Sequence, residues 1–318
     1  MGEGVVAMEP IFPKPNYIST IWAGSRLSTI RGLSPEKPIG ISREVCVYKG
    51  VENVVEGGEF DGVNLRTLID EHHDEIMGDD PEHEMIRIAY MDSIDDLSIQ
   101  VHPGEDYARK VGDREKSESW YILDADPGAY VVAGTTATSK EELIKAAETD
   151  SISDYAIHLP VEKGDFIVIP AGTLHACGKN LLAIEVGSFG GITYRICDYG
   201  RGRELHIDRA MDVLDLSSRP AVHHLPKKTS DTGEACVSKA MSHRLFAADV
   251  IDIANEWTET KGNVYQVLTA VEGSFELAVE GNSWPLPYTR TVIIPACVPS
   301  FTVTGKGRIL RSYRPLPA

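Results

Sequence analysis

Gly164-Asp165-Phe166-Ile167-Val168-Ile169-Pro170-Ala171-Gly172-Thr173-Leu174-His175 reads as one strand held between two sharp corners. Gly164 and Asp165 turn the chain, four apolar residues make a buried strand, and Pro170 with Gly172 make a second turn that presents His175. A small β-barrel needs such corners, and its mouth is where a metal ligand can be held. Short strand-like segments surround this stretch: Glu44–Tyr48, Met85–Met91, Ser98–Val101, Ser119–Ile122, Ala129–Ala133 and Leu182–Val186. Gly, Pro, Asn and Asp separate them, the pattern of a sandwich or barrel rather than of a parallel sheet with crossover helices.

Three further residues join His175 as candidate ligands. In Leu97-Ser98-Ile99-Gln100-Val101-His102-Pro103 the side chains of a strand alternate, so Gln100 and His102 share one face while Ile99 and Val101 share the apolar one. In Glu115-Lys116-Ser117-Glu118-Ser119-Trp120-Tyr121 polar residues run straight into a β-like stretch, with Glu118 at its start. Asp113, Arg114 and Glu115 read as solvated charge. Two imidazoles, a carboxylate and an amide oxygen form a mixed N/O set that suits Zn²⁺ or another divalent first-row ion, one per chain. The five cysteines are scattered and never spaced C-x-x-C, which argues for reduced thiols rather than a disulfide framework or a thiolate zinc site.

The composition is that of a globular chain of 318 residues, 42% hydrophobic and 25% charged. Its formal net charge of −17 argues against nucleic-acid and anionic-membrane partners, which want basic stripes. The longest apolar runs, such as Phe166–Ile169 and Val292–Ile294, are strand-sized, and MGEGVVAMEP lacks the form of a secretory leader, so the expected location is cytoplasmic. Helices are expected near 62–78, where Leu65, Leu68, Ile69, His72 and Ile76 share a face, near 139–155, and near 206–216. Ser139 and Glu142 form a capping box for the second. The polar segment 217–237, with two prolines and no periodicity, reads as a linker.

The fixed positions of the opening stretch match the second cupin motif, G-x5-P-x-G-x2-H. SIQVHP (98–103), KSESWYI (116–122), PAGTLHACG (170–178), TYRICDYGR (193–201) and RELH (203–206), with TIWAG (20–24) and DEHHDEIMG (70–78), carry a closer resemblance. In these pieces, and in order over nearly the whole chain, the sequence resembles the type I mannose-6-phosphate isomerases of the shorter bacterial and archaeal branch. The resemblance implies a mostly β fold: a cupin jelly-roll barrel with helical insertions over 1–216, and a second, degenerate cupin-like β-domain over 238–318. The line Arg290-Thr-Val-Ile-Ile-Pro295-Ala-Cys-Val-Pro299 echoes the turn before His175 without its histidine.

The resemblance implies zinc on Gln100, His102, Glu118 and His175, the set already reached from strand geometry. It implies interconversion of mannose 6-phosphate and fructose 6-phosphate through a cis-enediol, with Arg195 essential to the proton transfer and Lys116 as an acid/base or substrate-contacting group. The partner is then a small phosphorylated hexose. Arg201 and Arg203 are the nearest cations in sequence for its phosphate, Ser98 lies beside the ligand strand, and Trp22 is placed either to stack on sugar or to fill the core. Two departures bear on the substrate: Val186-Gly187-Ser188-Phe189-Gly190-Gly191-Ile192 stands where many relatives carry a polar run, and the early Trp-Gly-Gly reads Trp22-Ala23-Gly24. A cupin isomerase or epimerase of another sugar, and a sugar-binding cupin without turnover, are the competing readings; retention of both Lys116 and Arg195 argues against the latter.

Overall fold

A computed structural model of the chain describes residues 8–34, 36–229 and 233–316. The fold is mostly β, in antiparallel sheets. The chain divides into two compact units, one of 1–16, 43–87 and 226–318, the other of 17–42 and 88–225.

The second unit is a two-sheet jelly roll. One sheet runs Tyr194–Cys197, Ile99–Val101, His175–Cys177, Tyr130–Thr135, Ala156–Pro160. The other carries Arg87–Ser93, Leu181–Gly187, Glu118–Ala125, Asp165–Ile169 and Val222–His224 in that order. The two corners expected around Asp165–Ile169 are built on left-handed backbone, Gly164 at φ +94° and Gly172 at φ +86°, a region a Cβ disfavours. The Gly172 N–H donates to the His102 carbonyl at 2.8 Å, so the corner that delivers His175 also ties down the His102 backbone.

Alternation along the strands sorts the residues as expected. Ile99 and Val101 pack away from the ligand face, among Leu174, Ala176, Tyr194, Ile196 and helix Ile207–Val213. Trp120, Ile122, Ile167, Ile169, Cys177 and Ala183 fill the inner face. Helix Lys140–Glu148 begins at the expected cap, with Ser139 Oγ accepting from the Glu142 N–H at 3.3 Å. The reciprocal arm differs: Glu142 reaches the N–H and hydroxyl of Thr138. Helix Glu105–Lys110 was not expected; it is six residues long and is marked only by acids in its first turn and bases in its last.

The first unit holds sheets of five and four strands around an apolar core that includes Leu268, Val292, Val298 and Phe301. Its boundaries differ from the expected division at 216 and 238. Residues 8–16 and 43–87 belong with the C-terminal strands: Ile11 and Ile293 exchange backbone hydrogen bonds at 2.9 Å, and Gly78 pairs with Val264. The helix expected over 62–78 lies in this unit and breaks at His72 into Leu65–Glu71 and His73–Ile76. The expected linker contains a strand, Val222–His224, in register with Asp165–Ile167, and its last two residues, Cys236 and Val237, open strand Cys236–Ser242. Residues 230–232 of that segment, and 1–7 of the expected leaderless start, lie outside the described residues. Among the described residues no helix is long and apolar enough to cross a membrane.

Candidate metal centre

Strand pairing brings the expected ligands together. Gln100 sits directly across from His175, and Arg195 directly across from Gln100, so all three project from one face of the five-stranded sheet. Glu118 opens a strand of the other sheet, and His102 follows the Gln100 strand by one residue. The side chains of His102, Glu118 and His175 are 1%, 2% and 1% exposed.

Each imidazole is fixed by its other nitrogen. His102 Nδ1 lies 2.9 Å from the Ile192 carbonyl, and His175 Nδ1 lies 2.8 Å from the Thr173 carbonyl. A carbonyl only accepts, so both Nδ1 atoms carry the proton and both Nε2 atoms keep a lone pair. Those lone pairs face a carboxylate: Glu118 Oε1 is 3.0 Å from His175 Nε2 and 3.6 Å from His102 Nε2. Glu118 Oε2 is buried without a hydrogen bond, the Lys116 ammonium standing off at 3.4 Å. Acceptors aimed at one another in a dry site call for a cation. Ligands held at 2.0–2.2 Å from one ion lie roughly 3.3–3.6 Å apart, close to the spacing observed. The site therefore fits a divalent metal.

The Gln100 amide turns Nε2 toward His175 Nε2, 3.4 Å away, and Oε1 toward the Ser98 hydroxyl, also 3.4 Å. Rotation of the amide by 180° brings Oε1 to the centre and leaves the amide N–H to the Ser98 oxygen. Ser98, 3% exposed, thus orients Gln100.

Burial, and then the neighbouring Lys116, push the His102 imidazole down to about 3, so it stays neutral and able to ligate. Burial alone pushes Glu118 up, but Lys116 and His102 outweigh it and hold the carboxyl well below its usual range. Lys116 Nζ is 2.9 Å from His102 Nε2. Burial and the adjacent Arg203 lower Arg195, which remains a cation. Its Nη1 donates to the Glu204 carbonyl at 2.9 Å, and its buried Nε has no hydrogen-bond partner.

A mannose-6-phosphate isomerase of Bacillus subtilis, ManA, is 34% identical over 96% of this chain and 99% of its own length. The chain belongs to the mannose-6-phosphate isomerase family. The family model described as mannose-6-phosphate isomerase, cupin domain, matches residues 237–314, the C-terminal strands. A crystal structure of the Bacillus subtilis mannose 6-phosphate isomerase aligns with a TM-score of 0.87 at 28% identity, over 96% of this chain and 100% of that one. A mannose 6-phosphate isomerase bound with zinc and yttrium shares the fold, with a TM-score of 0.74 at 14% identity over 96% and 100% of the two chains.

Not every expected residue of this family member lies free at the site. Trp22, 4% exposed, packs in the core with Met91, Leu97 and Trp120. Asp198 grips both remaining arginines. Arg201 spends its guanidinium on Asp198, Asp95 and the Asp96 carbonyl and stacks over Tyr199. Arg203 uses Nε and Nη2 on Asp198. His102 has its partner in Ile192, within the 186–192 run. Asp113 and Glu115 are not solvated charge: Glu115 is 6% exposed, and Asp113 accepts two backbone N–H groups.

The structure adds Glu185. It stands across from Trp120 on the strand whose Gly187 faces Glu118, which puts a second carboxylate on the inner face. A lone charge in the run Leu-Leu-Ala-Ile-Glu-Val, read with period two, is the signal that identifies it. A second cluster, Glu162, Asp165 and His224, lies at the sheet edge with Glu162 and His224 exposed, and His224 Nδ1 already bonds Asp165 at 2.8 Å.

Proposed function

We propose that this chain interconverts mannose 6-phosphate and fructose 6-phosphate, with one zinc ion held by Gln100, His102, Glu118 and His175. The observation that supports this most is the convergence of two ε-lone-pair histidines and a buried carboxylate with two cations, Lys116 beside them and Arg195 on the same sheet face. A binding module has no need of both cations; an aldose–ketose isomerase does. A divalent ion held by Gln100, His102, Glu118 and His175 would supply Lewis-acid polarisation of the sugar carbonyl, which would acidify the C2 proton.

The chain's own groups then complete the reaction without gain or loss of electrons. Lys116, the cationic side chain beside the ligands, is the acid/base group that carries the proton from C2 of the open-chain aldose to C1, while a second proton passes from O2 to O1. Arg195 steadies the negative oxygen of the cis-enediolate between the two transfers. The nearly complete burial of the ligand set keeps bulk water from that intermediate. For the phosphate, Arg203 is the better placed of the two expected arginines, since its Nη1 makes no bond among the described residues, whereas all three nitrogens of Arg201 are engaged.

Gly187 shapes the sugar's space. Its φ lies outside the left-handed region, and an added Cβ would meet Glu185 Oε1 and the Ser117 carbonyl at 3.4 Å and Glu118 Cβ at 3.5 Å, ordinary contacts. Neither backbone nor packing demands a glycine, so the missing side chain leaves room beside Glu118. Gly187→Gln is expected to raise KM for mannose 6-phosphate several-fold at unchanged zinc content; an unchanged KM places the sugar elsewhere.

The direct test is a coupled assay of mannose 6-phosphate conversion, with and without chelator. Chelator-sensitive turnover restored by zinc is the expected result. A zinc-loaded chain inert on mannose 6-phosphate but active on another sugar phosphate would move the substrate while keeping the metal site.

A further inference from the structure

The run 186–192 is bound to the segment 113–117 rather than left along the sugar's path. Asp113 Oδ2 accepts from the N–H groups of Gly191 and Ile192, both at 2.9 Å. The Ile192 carbonyl in turn accepts the Nδ1 proton of His102. Nearby, Ser188 Oγ accepts from the Ser117 N–H at 2.9 Å and donates to the Glu115 carbonyl at 2.8 Å. The Gly190 N–H donates to that same carbonyl at 3.0 Å. A Cβ on Gly190 would lie 2.1 Å from the Arg114 carbonyl, so only glycine permits this approach.

We propose that Asp113 is a positioning residue for the metal ligand His102, acting through the Ile192 carbonyl. The inference rests on the reading of His102 as a ligand. A carboxylate that takes two adjacent amide protons makes a strong, charge-assisted anchor, and it sits on the residue whose carbonyl fixes His102's tautomer and ring plane. Aim at Nε2 is therefore set from 113, a position eleven residues away in sequence and on the far side of the loop. Ligand-orienting partners of this kind typically contribute about 10–100-fold to metal affinity. The departure of 186–192 from a polar run then has a reason: its glycines and Ser188 serve the ligand frame.

The test is zinc affinity of the full chain, measured by competition with a chromogenic chelator. Asp113→Ala is expected to weaken zinc binding by about 10–100-fold, and excess zinc is expected to recover turnover. Asp113→Asn keeps one acceptor oxygen and is expected to restore most of the affinity; it also carries the test if Asp113→Ala fails to fold. The imidazole Nδ1–H resonance of His102 is expected to be protected from exchange in the parent chain and to exchange faster in both variants, more so in Asp113→Ala. An Asp113→Ala chain that melts lower but binds zinc as tightly as the parent overturns the proposal. A parent chain that binds no zinc overturns instead the metal reading beneath it.

Discussion

His175→Ala is expected to empty the metal site and lower kcat/KM on the order of 10³-fold, because the ion supplies several kcal/mol of charge stabilisation in reactions of this type. His175 holds the centre from three sides: its Nε2 faces Glu118 at 3.0 Å, its Nδ1 is tied to the Thr173 carbonyl, and Trp120 packs on its ring with centroids 5.8 Å apart. Alanine removes the ligand atom and also leaves a void in a site that is 1% exposed, so some loss of stability accompanies the loss of metal. His175→Gln, closer in volume, separates the two effects. It should recover melting temperature more fully than it recovers zinc. Zinc content near one per chain and near-parent turnover in His175→Ala would remove this histidine from the metal site.

Lys116→Met is expected to lower kcat by about 10²–10⁴-fold, the range of a positioned acid/base, while zinc is retained. The side chain is 11% exposed and its ammonium touches the ligand His102, so a long apolar replacement fills the same volume without the charge. Lys116→Arg keeps the cation but cannot deprotonate at working pH. A base role predicts that both variants fail. A purely electrostatic role predicts that Lys116→Arg works. Should both stay active, Glu185, the other inner-face carboxylate, becomes the first candidate for the base. Arg195→Ala is the companion measurement. Its expected loss falls on kcat rather than on zinc affinity, since Arg195 shares a face with Gln100 without bonding any ligand.

The candidate donors that the fold gathers were legible because every signal for them is local. Gly164, Pro170 and Gly172 specify two corners through backbone conformations that glycine and proline favour, and the two glycines adopt them. Period two then places Gln100 with His102 and Ile99 with Val101 on opposite faces, and the packing of the latter pair follows. The cap at Ser139 is equally local. Charges near the site were harder to read. Arg201 and Asp113 look like any surface ion in one dimension, yet one is bound to Asp198 and Asp95, three and 106 positions away, and the other to amides 78 and 79 positions on. Trp22 offered two readings until its neighbours were known.

By itself, then, the chain's sequence determined the corners, the strand faces and which candidate donors the fold gathers, since these follow from φ preferences, alternation and ligand chemistry within a few residues. Tertiary structure alone decided which tautomer each histidine holds, which arginine keeps donors to spare, and that residues 8–16 and 43–87 complete the unit of the C-terminal strands. The His102 tautomer, the contacts of Arg201 with Asp95 and Asp96, and the unit's make-up depend on partners far apart along the chain, where no periodicity carries information. The His175–Thr173 and Arg203–Asp198 contacts are short in sequence but need a turn geometry that only the closed fold sets.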